Sequence, residues 1–303
     1  MTTALWTLAV LAALLGGGRW ALHRGFRAPR VTGAGGPADV GLAGEEVAVA
    51  TAGGKRLFGW FIPAAGPGPH PAVAMMHGWG ANAELLLPLA VPLHRAGYGV
   101  LLLDARNHGR SDPDSFSSMP RFAEDLEAGL DRLLARHDVD PARIALLGHS
   151  VGAAAALLVA SRRTEPAAVV SIAAFDHPER VMRLWLTRMR VPYRPLGWLV
   201  CRYVERVIGH RFDAIAPVAT VRAVRCPVLV VHGALDDTVA PDAARAIHAA
   251  GAAGSVELAI LPDTGHDRAP CVDTLGRDIA VFLDRATGHG VSAAAQQRVG
   301  ERP

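Results

Sequence analysis

Between residues 45 and 286 the chain alternates two kinds of apolar segment, and that alternation restricts the fold more than any other feature. Short unbroken apolar runs stand at residues 72–76, 100–103, 144–147, 168–172, 228–231 and 256–261. Runs of this length without polar interruption suit parallel strands buried on both faces. Residues 46–50 and 57–62 read as two further strands around a Gly53-Gly54 turn. Longer amphipathic stretches lie between the runs, at residues 84–95, 121–137, 151–162, 242–250 and 272–285. In the second of these Phe122, Leu126, Leu130, Leu133 and Leu134 share one helical face. Strand and helix in alternation predict an α/β fold, a mostly parallel sheet with helices on both faces. The chain has 303 residues, yet an α/β fold of about 200–250 residues is commonly one domain, so length does not demand a second.

In such a sheet, ligands bind beyond the carboxyl ends of the strands, so the residues just past each apolar run carry the functional information. After residues 144–147 comes Gly148-His149-Ser150-Val151-Gly152, then an alanine-rich helix. This is G-x-S-x-G between strand and helix, a turn that exposes a serine hydroxyl at a helix N-terminus, where amide N–H groups favour negative charge. A serine hydroxyl is a weak nucleophile until a base takes its proton. After residues 228–231 stand His232-Gly233-Ala234-Leu235-Asp236-Asp237-Thr238-Val239, and after residues 256–261 stand Pro262-Asp263-Thr264-Gly265-His266. His266 supplies the base in this reading, and an aspartate fixes its tautomer. Asp237 stands beside Asp236 as a rival for that place, with the spacing from Gly233 and the succeeding Val239 favouring Asp236. Asp263 reads as a turn former, and Asn82 and Glu84 read as helix-start residues.

With these residues in order the chain resembles an α/β-hydrolase over roughly residues 45–285. The resemblance rests also on His77-Gly78-Trp79-Gly80 and on the loop from Asp104 through Arg106, His108 and Gly109 to Ser111 and Asp112. It departs from the family pattern at Ala240, where V-P is commoner than the A-P found here. It implies Ser150 as nucleophile, Asp236 as acid, His266 as base, and the backbone amides of Trp79 and Val151 as an oxyanion hole. No cofactor and no metal are implied. The reaction expected is hydrolysis of a carboxylic ester or thioester through an acyl-enzyme on Ser150. A serine peptidase or amidase of the same fold is the alternative enzyme, and a catalytically silent binding protein the alternative without chemistry. Asp104, Arg106 and Ser111 are expected to tie down a loop beside the site.

The segments around this domain have characters of their own. Residues 1–18 contain no charged side chain, and Arg19, Arg24, Arg27 and Arg30 come next. Residues 1–30 therefore read as a transmembrane anchor with a basic flank, which leaves the domain on the cytoplasmic side; secretion after signal cleavage is the alternative. Residues 31–44 read as a glycine-rich linker and residues 287–303 as a flexible tail. Residues 176–225 interrupt the alternation with two helical stretches, 177–190 and 198–209, where α/β-hydrolases commonly carry a lid. Within it Trp185, Leu186, Met189, Trp198 and Leu199 are candidates for a substrate wall, with ordinary packing as the alternative. The expected partners are a small-molecule or lipid acyl ester and, through the N-terminal helix, a membrane.

Composition excludes other classes. Half the residues are hydrophobic, mean hydropathy is +0.22, and such a chain buries a large core rather than remaining disordered. The net charge is +3, and neither an aromatic RNA-binding motif nor a glycine-rich phosphate loop is present, so no nucleic-acid partner is expected. The three cysteines, Cys201, Cys226 and Cys271, are far apart and suit a reducing compartment.

Overall fold

The computed structural model describes residues 27–266 and 272–289, together with Trp6, residues 16–18, Trp20 and Arg24. Eight strands form one sheet: β1 (Glu45–Thr51), β2 (Lys55–Ile62), β3 (His70–Met76), β4 (Gly99–Leu103), β5 (Val139–His149), β6 (Ala168–Ile172), β7 (Val228–Gly233) and β8 (Val256–Leu261). Their order is β1-β2-β4-β3-β5-β6-β7-β8. The first two strands pair antiparallel, and β2 runs antiparallel to β4; every pairing from β4 onward is parallel. The expected α/β architecture with a mostly parallel sheet is therefore what the chain adopts, and each of the short apolar runs lies within a strand.

Among the described residues seven longer helices accompany the sheet: α1 (Leu87–Arg95), α2 (Met119–Leu134), α3 (Val151–Arg162), α4 (Pro178–Arg188), α5 (Trp198–Ile208), α6 (Asp242–Ala250) and α7 (Val272–Thr287). Strand side chains alternate between two cores, as a period of two requires. Val73 and Met75 of β3 pack with Leu93 of α1 and Ile279 of α7, while Ala72, Ala74 and Met76 face α2 and α3 on the other side. Helix α3 is buried continuously from Val151 to Ala160. Its run of four alanines, Ala153–156, fits that position, because small side chains let sheet and α2 approach from both sides. Helices α4 and α5 belong to the insertion between β6 and β7, close to the expected 177–190 and 198–209. Their buried residues Leu186, Val200 and Cys201 join the core on the α3 side.

Two expectations need correction. Residues 31–44 do not form a free linker. Pro37–Val40 makes a short 3₁₀ turn, Pro37 and Leu42 are buried, and Gly35 donates its amide to Glu84 Oε1 at 2.8 Å. Just upstream, the Arg30 guanidinium donates to the Ser111 carbonyl at 2.7 Å. Glycines there serve close packing rather than freedom: a Cβ on Gly44 would lie 2.8 Å from Pro37. The other correction concerns the chain end, where α7 continues through Thr287 and His289 Nδ1 lies 3.1 Å from Arg143 Nη1. The rest of the expected tail, from residue 290, lies outside the described residues. So does nearly all of the expected anchor at 1–30 before Arg27; among the described residues no helix is long and apolar enough to cross a membrane.

A buried ionic cluster fixes the loop after β4. Arg106 is 4% exposed, and its Nε donates to Asp125 Oδ1 at 2.7 Å while its backbone amide reaches Oδ2 at 2.8 Å. Glu124 and Asp114 take the remaining guanidinium edges. Removing one partner of such a cluster strands the other charge without water, which typically costs about 3–5 kcal/mol. Arg106→Leu is accordingly expected to lose about that much stability in urea denaturation, with part of the loss recovered in Arg106→Leu/Asp125→Leu.

Candidate active site

The carboxyl edge of the sheet collects the residues singled out by sequence. Ser150 stands in the turn between β5 and α3 with φ 54° and ψ −114°, a strained conformation for a residue with a side chain. The turn is held by a hydrogen bond from the Ser150 amide to Ile172 O at 2.8 Å. Glycine on either side is obligatory. A Cβ on Gly148 would lie 2.2 Å from the Gly152 carbonyl group, and one on Gly152 would lie 2.3 Å from Met76 O. These are backbone contacts that no side-chain rotation relieves.

Asp236 and His266 come to this serine from β7 and β8. His266 Nε2 is 3.0 Å from Ser150 Oγ, and His266 Nδ1 is 2.7 Å from Asp236 Oδ2. With its Nδ1 proton donated to the carboxylate, the imidazole presents a free lone pair at Nε2 to the serine hydroxyl. The structure thus brings together three of the residues the sequence named. Asp237 stays exposed and Thr238 Oγ1 donates to it; Asp263 is an exposed turn residue. Neither reaches His266 in this arrangement, which removes the rivalry over the acid.

Two further histidines within the sequence motifs take positioning roles. His232 is fully buried, and its Nε2–H lies between Val239 O at 2.8 Å and Asp236 Oδ2 at 3.1 Å. The other oxygen of Asp236 accepts the amides of Thr238 at 2.9 Å and Val239 at 2.7 Å. Burial alone would raise the Asp236 carboxyl, but the donors from His232, His266 and Val239 outweigh it and hold the group well below the usual carboxylate range. The second is His149, whose Nε2 donates to His266 O at 2.8 Å and so secures the backbone that carries the base. The only sequence signal for either is a histidine at a strand end, which is too common to assign a partner.

The loop after β3 supplies the other half of the site. His77 is fully buried; its Nδ1–H donates to Gly78 O at 2.6 Å, and its Nε2 accepts the Ala105 amide at 3.0 Å. Because a trans peptide points its C=O and N–H in opposite directions, the bond to Gly78 O turns the Trp79 amide away from the ring. Val151 opens α3, where the first amides of a helix lack an intrahelical acceptor. The Trp79 side chain stands edge-on to Trp185 of α4, with ring centroids 6.0 Å apart, joining this loop to the insertion. Asp104 anchors the neighbouring loop, accepting the amides of Ala83 and Arg110 at 2.7 Å each; burial nonetheless pushes its carboxyl up. Ser111 Oγ donates to Asp104 O at 2.7 Å and accepts the Phe58 amide at 2.8 Å. Asn82 caps the next turn by accepting the Glu84 amide.

A cavity of about 420 Å³ opens over Ser150 and His266. Phe116 and Met119 line it from the body of the domain, and Met182, Trp185, Val204 and Ile208 from the insertion. Among the described residues no carboxylate lines it, and Arg188 at the rim is its one permanently charged side chain. Of the five candidates for a substrate wall, Trp185 lines the cavity and Leu186 is buried packing; Met189, Trp198 and Leu199 are exposed. Among the described residues no group of three or more His, Cys, Asp or Glu side chains is arranged to hold a metal ion.

Comparison with known proteins bears on the fold and the family. The chain is 35% identical over 231 residues to an uncharacterized protein of Mycobacterium tuberculosis, spanning 76% of this chain and 75% of that one. A family model described as serine aminopeptidase, S33, matches residues 67–207. Among solved structures, an esterase of Pyrococcus furiosus aligns with a TM-score of 0.69 at 23% identity, over 87% of this chain and 98% of that one. The chain belongs to the α/β-hydrolase family. Another solved structure, Est1E of Butyrivibrio proteoclasticus with ferulic acid bound, aligns with a TM-score of 0.65 at 18% identity, over 79% of this chain and 99% of that one. At such identities the two structures speak for the fold.

One property of this α/β-hydrolase site is open to a titration test. Burial, with His108 close by, pushes His77 down to about 3 from its ordinary 6.5. Below about pH 6.5 the unfolded chain binds a proton that the folded chain refuses, so stability falls as pH falls. In His77→Gln that component is absent. Between about pH 4.5 and 6.5 the variant is expected to lose stability less steeply than the wild type, by up to about 1.4 kcal/mol per pH unit, in urea denaturation followed by circular dichroism.

Proposed function

We propose that this α/β-hydrolase cleaves carboxylic esters or thioesters of apolar acyl groups through an acyl-enzyme on Ser150. The observation that carries the reading is the line Ser150 Oγ–His266 Nε2–Asp236 at 3.0 and 2.7 Å, bordering an apolar cavity. His266 takes the hydroxyl proton as Ser150 attacks the acyl carbonyl, and the low-lying Asp236 carboxylate stabilises the imidazolium that forms. Negative charge on the tetrahedral oxygen is received by the amides of Trp79 and Val151. His266 then protonates the leaving alcohol or thiol, and the same histidine activates the water that releases the acid. A site of this kind needs no cofactor.

The cavity favours an acyl group over a peptide. An aminopeptidase has to receive a protonated amine, and among the described residues no carboxylate lines this cavity to do so; its apolar wall instead suits a hydrocarbon chain. One of the similar structures, described as an esterase, accords with ester substrates. We read residues 1–30 as a membrane anchor, which keeps a lipid acyl ester among the substrates.

Two measurements check the proposal. A fluorophosphonate probe is expected to label the wild type and not Ser150→Ala, while His266→Ala labels far more slowly; undiminished labelling of Ser150→Ala would overturn the nucleophile. In steady-state assays Asp236→Asn is expected to lower kcat by about 10⁴-fold. Because each buried methylene is worth about 0.8 kcal/mol, roughly fourfold in rate, kcat/KM is expected to rise steeply from a p-nitrophenyl acetate to the octanoate. An aminoacyl p-nitroanilide cleaved faster than the octanoate would move the reading to a peptidase.

A further inference from the structure

The insertion carries a surface that the hydrolytic reading does not use. Between the end of α4 and the start of α5, residues 188–199 turn back over twelve positions, the turn closed by a hydrogen bond from the Gly197 amide to Pro192 O at 3.1 Å. Met189, Leu196, Trp198 and Leu199 project from it, each about half exposed to water: 52%, 50%, 47% and 52%. Large apolar side chains at this exposure, gathered in one short turn, mark a surface with a partner. Arg188, Arg190 and Arg194 are interleaved with them and exposed. None of the three pairs with a carboxylate among the described residues, and the sequence contains no Asp or Glu from residue 180 to residue 204. Two arginines of the flanking helices are neutralised, Arg183 by Glu179 and Arg202 by Glu205. The tip combines exposed hydrocarbon with unopposed positive charge.

That pairing selects an occupant. Apolar side chains that enter the acyl boundary, ringed by guanidinium groups at headgroup level, are what binds the surface of an anionic bilayer. A protein groove would take the apolar residues without requiring three unpaired arginines. Position argues the same way. Arg188 stands at once on the rim of the cavity and at the root of the tip. The segment from Pro29 to Gly35 meets the domain at the same carboxyl edge of the sheet. Pro29 packs against Gly80, Arg30 binds Ser111 O, and Gly35 binds Glu84. The chain from Pro29 thus joins the domain on the edge that bears Ser150.

We infer that the tip of the insertion, residues 188–199, docks on anionic lipid headgroups and turns the cavity mouth toward the bilayer. Docking itself is independent of the chemistry at Ser150. Its consequence, delivery of an acyl ester from the lipid phase, rests on the hydrolase reading.

The test uses the full chain and vesicles of phosphatidylcholine with or without about one-third phosphatidylglycerol, since charge attraction is the selective contribution. An environment-sensitive fluorophore is placed at Leu199→Cys and, as a control on the opposite edge of the sheet, at Ala142→Cys. With anionic vesicles emission at 199 is expected to shift to the blue while that at 142 does not. Adding Arg190→Glu and Arg194→Glu is expected to reduce the shift at 199 at least fivefold. Turnover of an ester embedded in the anionic vesicles falls about tenfold in the same charge variant, with turnover of a short water-soluble ester within twofold of the wild type. An unshifted probe at 199, or an equal shift at 142, would overturn the docking surface, as would a shift insensitive to the charge reversals. If the wild type cleaves neither ester, the hydrolase reading fails, and the fluorescence result still decides the docking.

Discussion

Helix α3 meets the ends of β3 and β5 so closely that two side chains have to be missing. A Cβ at Gly148 or Gly152 would enter the van der Waals space of backbone atoms that belong to the sheet or to the helix itself. Their absence lets the chain leave β5, reverse within one residue and begin a helix, and that one residue is Ser150 at φ 54°. The strain, of order 1–3 kcal/mol for such a conformation, is offset by the buried length of α3 and by the bond from the Ser150 amide to β6. This constraint produces the exposed hydroxyl, the nearby helix N-terminus and the edge on which the other loops gather.

Around the serine the protein relies on buried histidines used as fixed hydrogen-bonding groups. His77 sets the peptide before Trp79, His232 shares the Asp236 carboxylate, and His149 ties the backbone of His266. Only His266, part-buried and facing the cavity, is placed to gain and lose a proton in the proposed cycle. Burial enforces the division in the case of His77: its desolvation keeps the ring uncharged, so a single tautomer can serve one donor and one acceptor at once.

Much of this is legible in the sequence because it is written in local patterns. Unbroken apolar runs mark strands covered on both faces, and β6 and β8 occupy the same residues that the runs predict. The order of Ser150, Asp236 and His266, each just past a strand, reflects where a parallel sheet puts its loops. Less legible are contacts between distant segments. Residues 31–44 read as a linker because glycine-rich composition is shared by mobile chain and by chain pressed against a surface; the bond to Glu84 and the burial of Leu42 distinguish them only in three dimensions. The partners of His232 and His149 are hidden for the same reason. In the insertion, periodicity locates both helices, but it does not separate Trp185, which faces the cavity, from Trp198, which faces water.

The proposed cycle holds the acyl group covalently on Ser150, so the intermediate itself can be trapped. The full chain is mixed with a slowly deacylating ester such as a p-nitrophenyl carboxylate, quenched in acid within the first turnovers, and measured by intact-protein and peptide mass spectrometry. The expected result is a mass increase of one acyl group, located on the peptide that contains Ser150 and formed in step with a stoichiometric burst of p-nitrophenol. Turnover that proceeds with no burst and no adduct, or an adduct on a different residue, would contradict it.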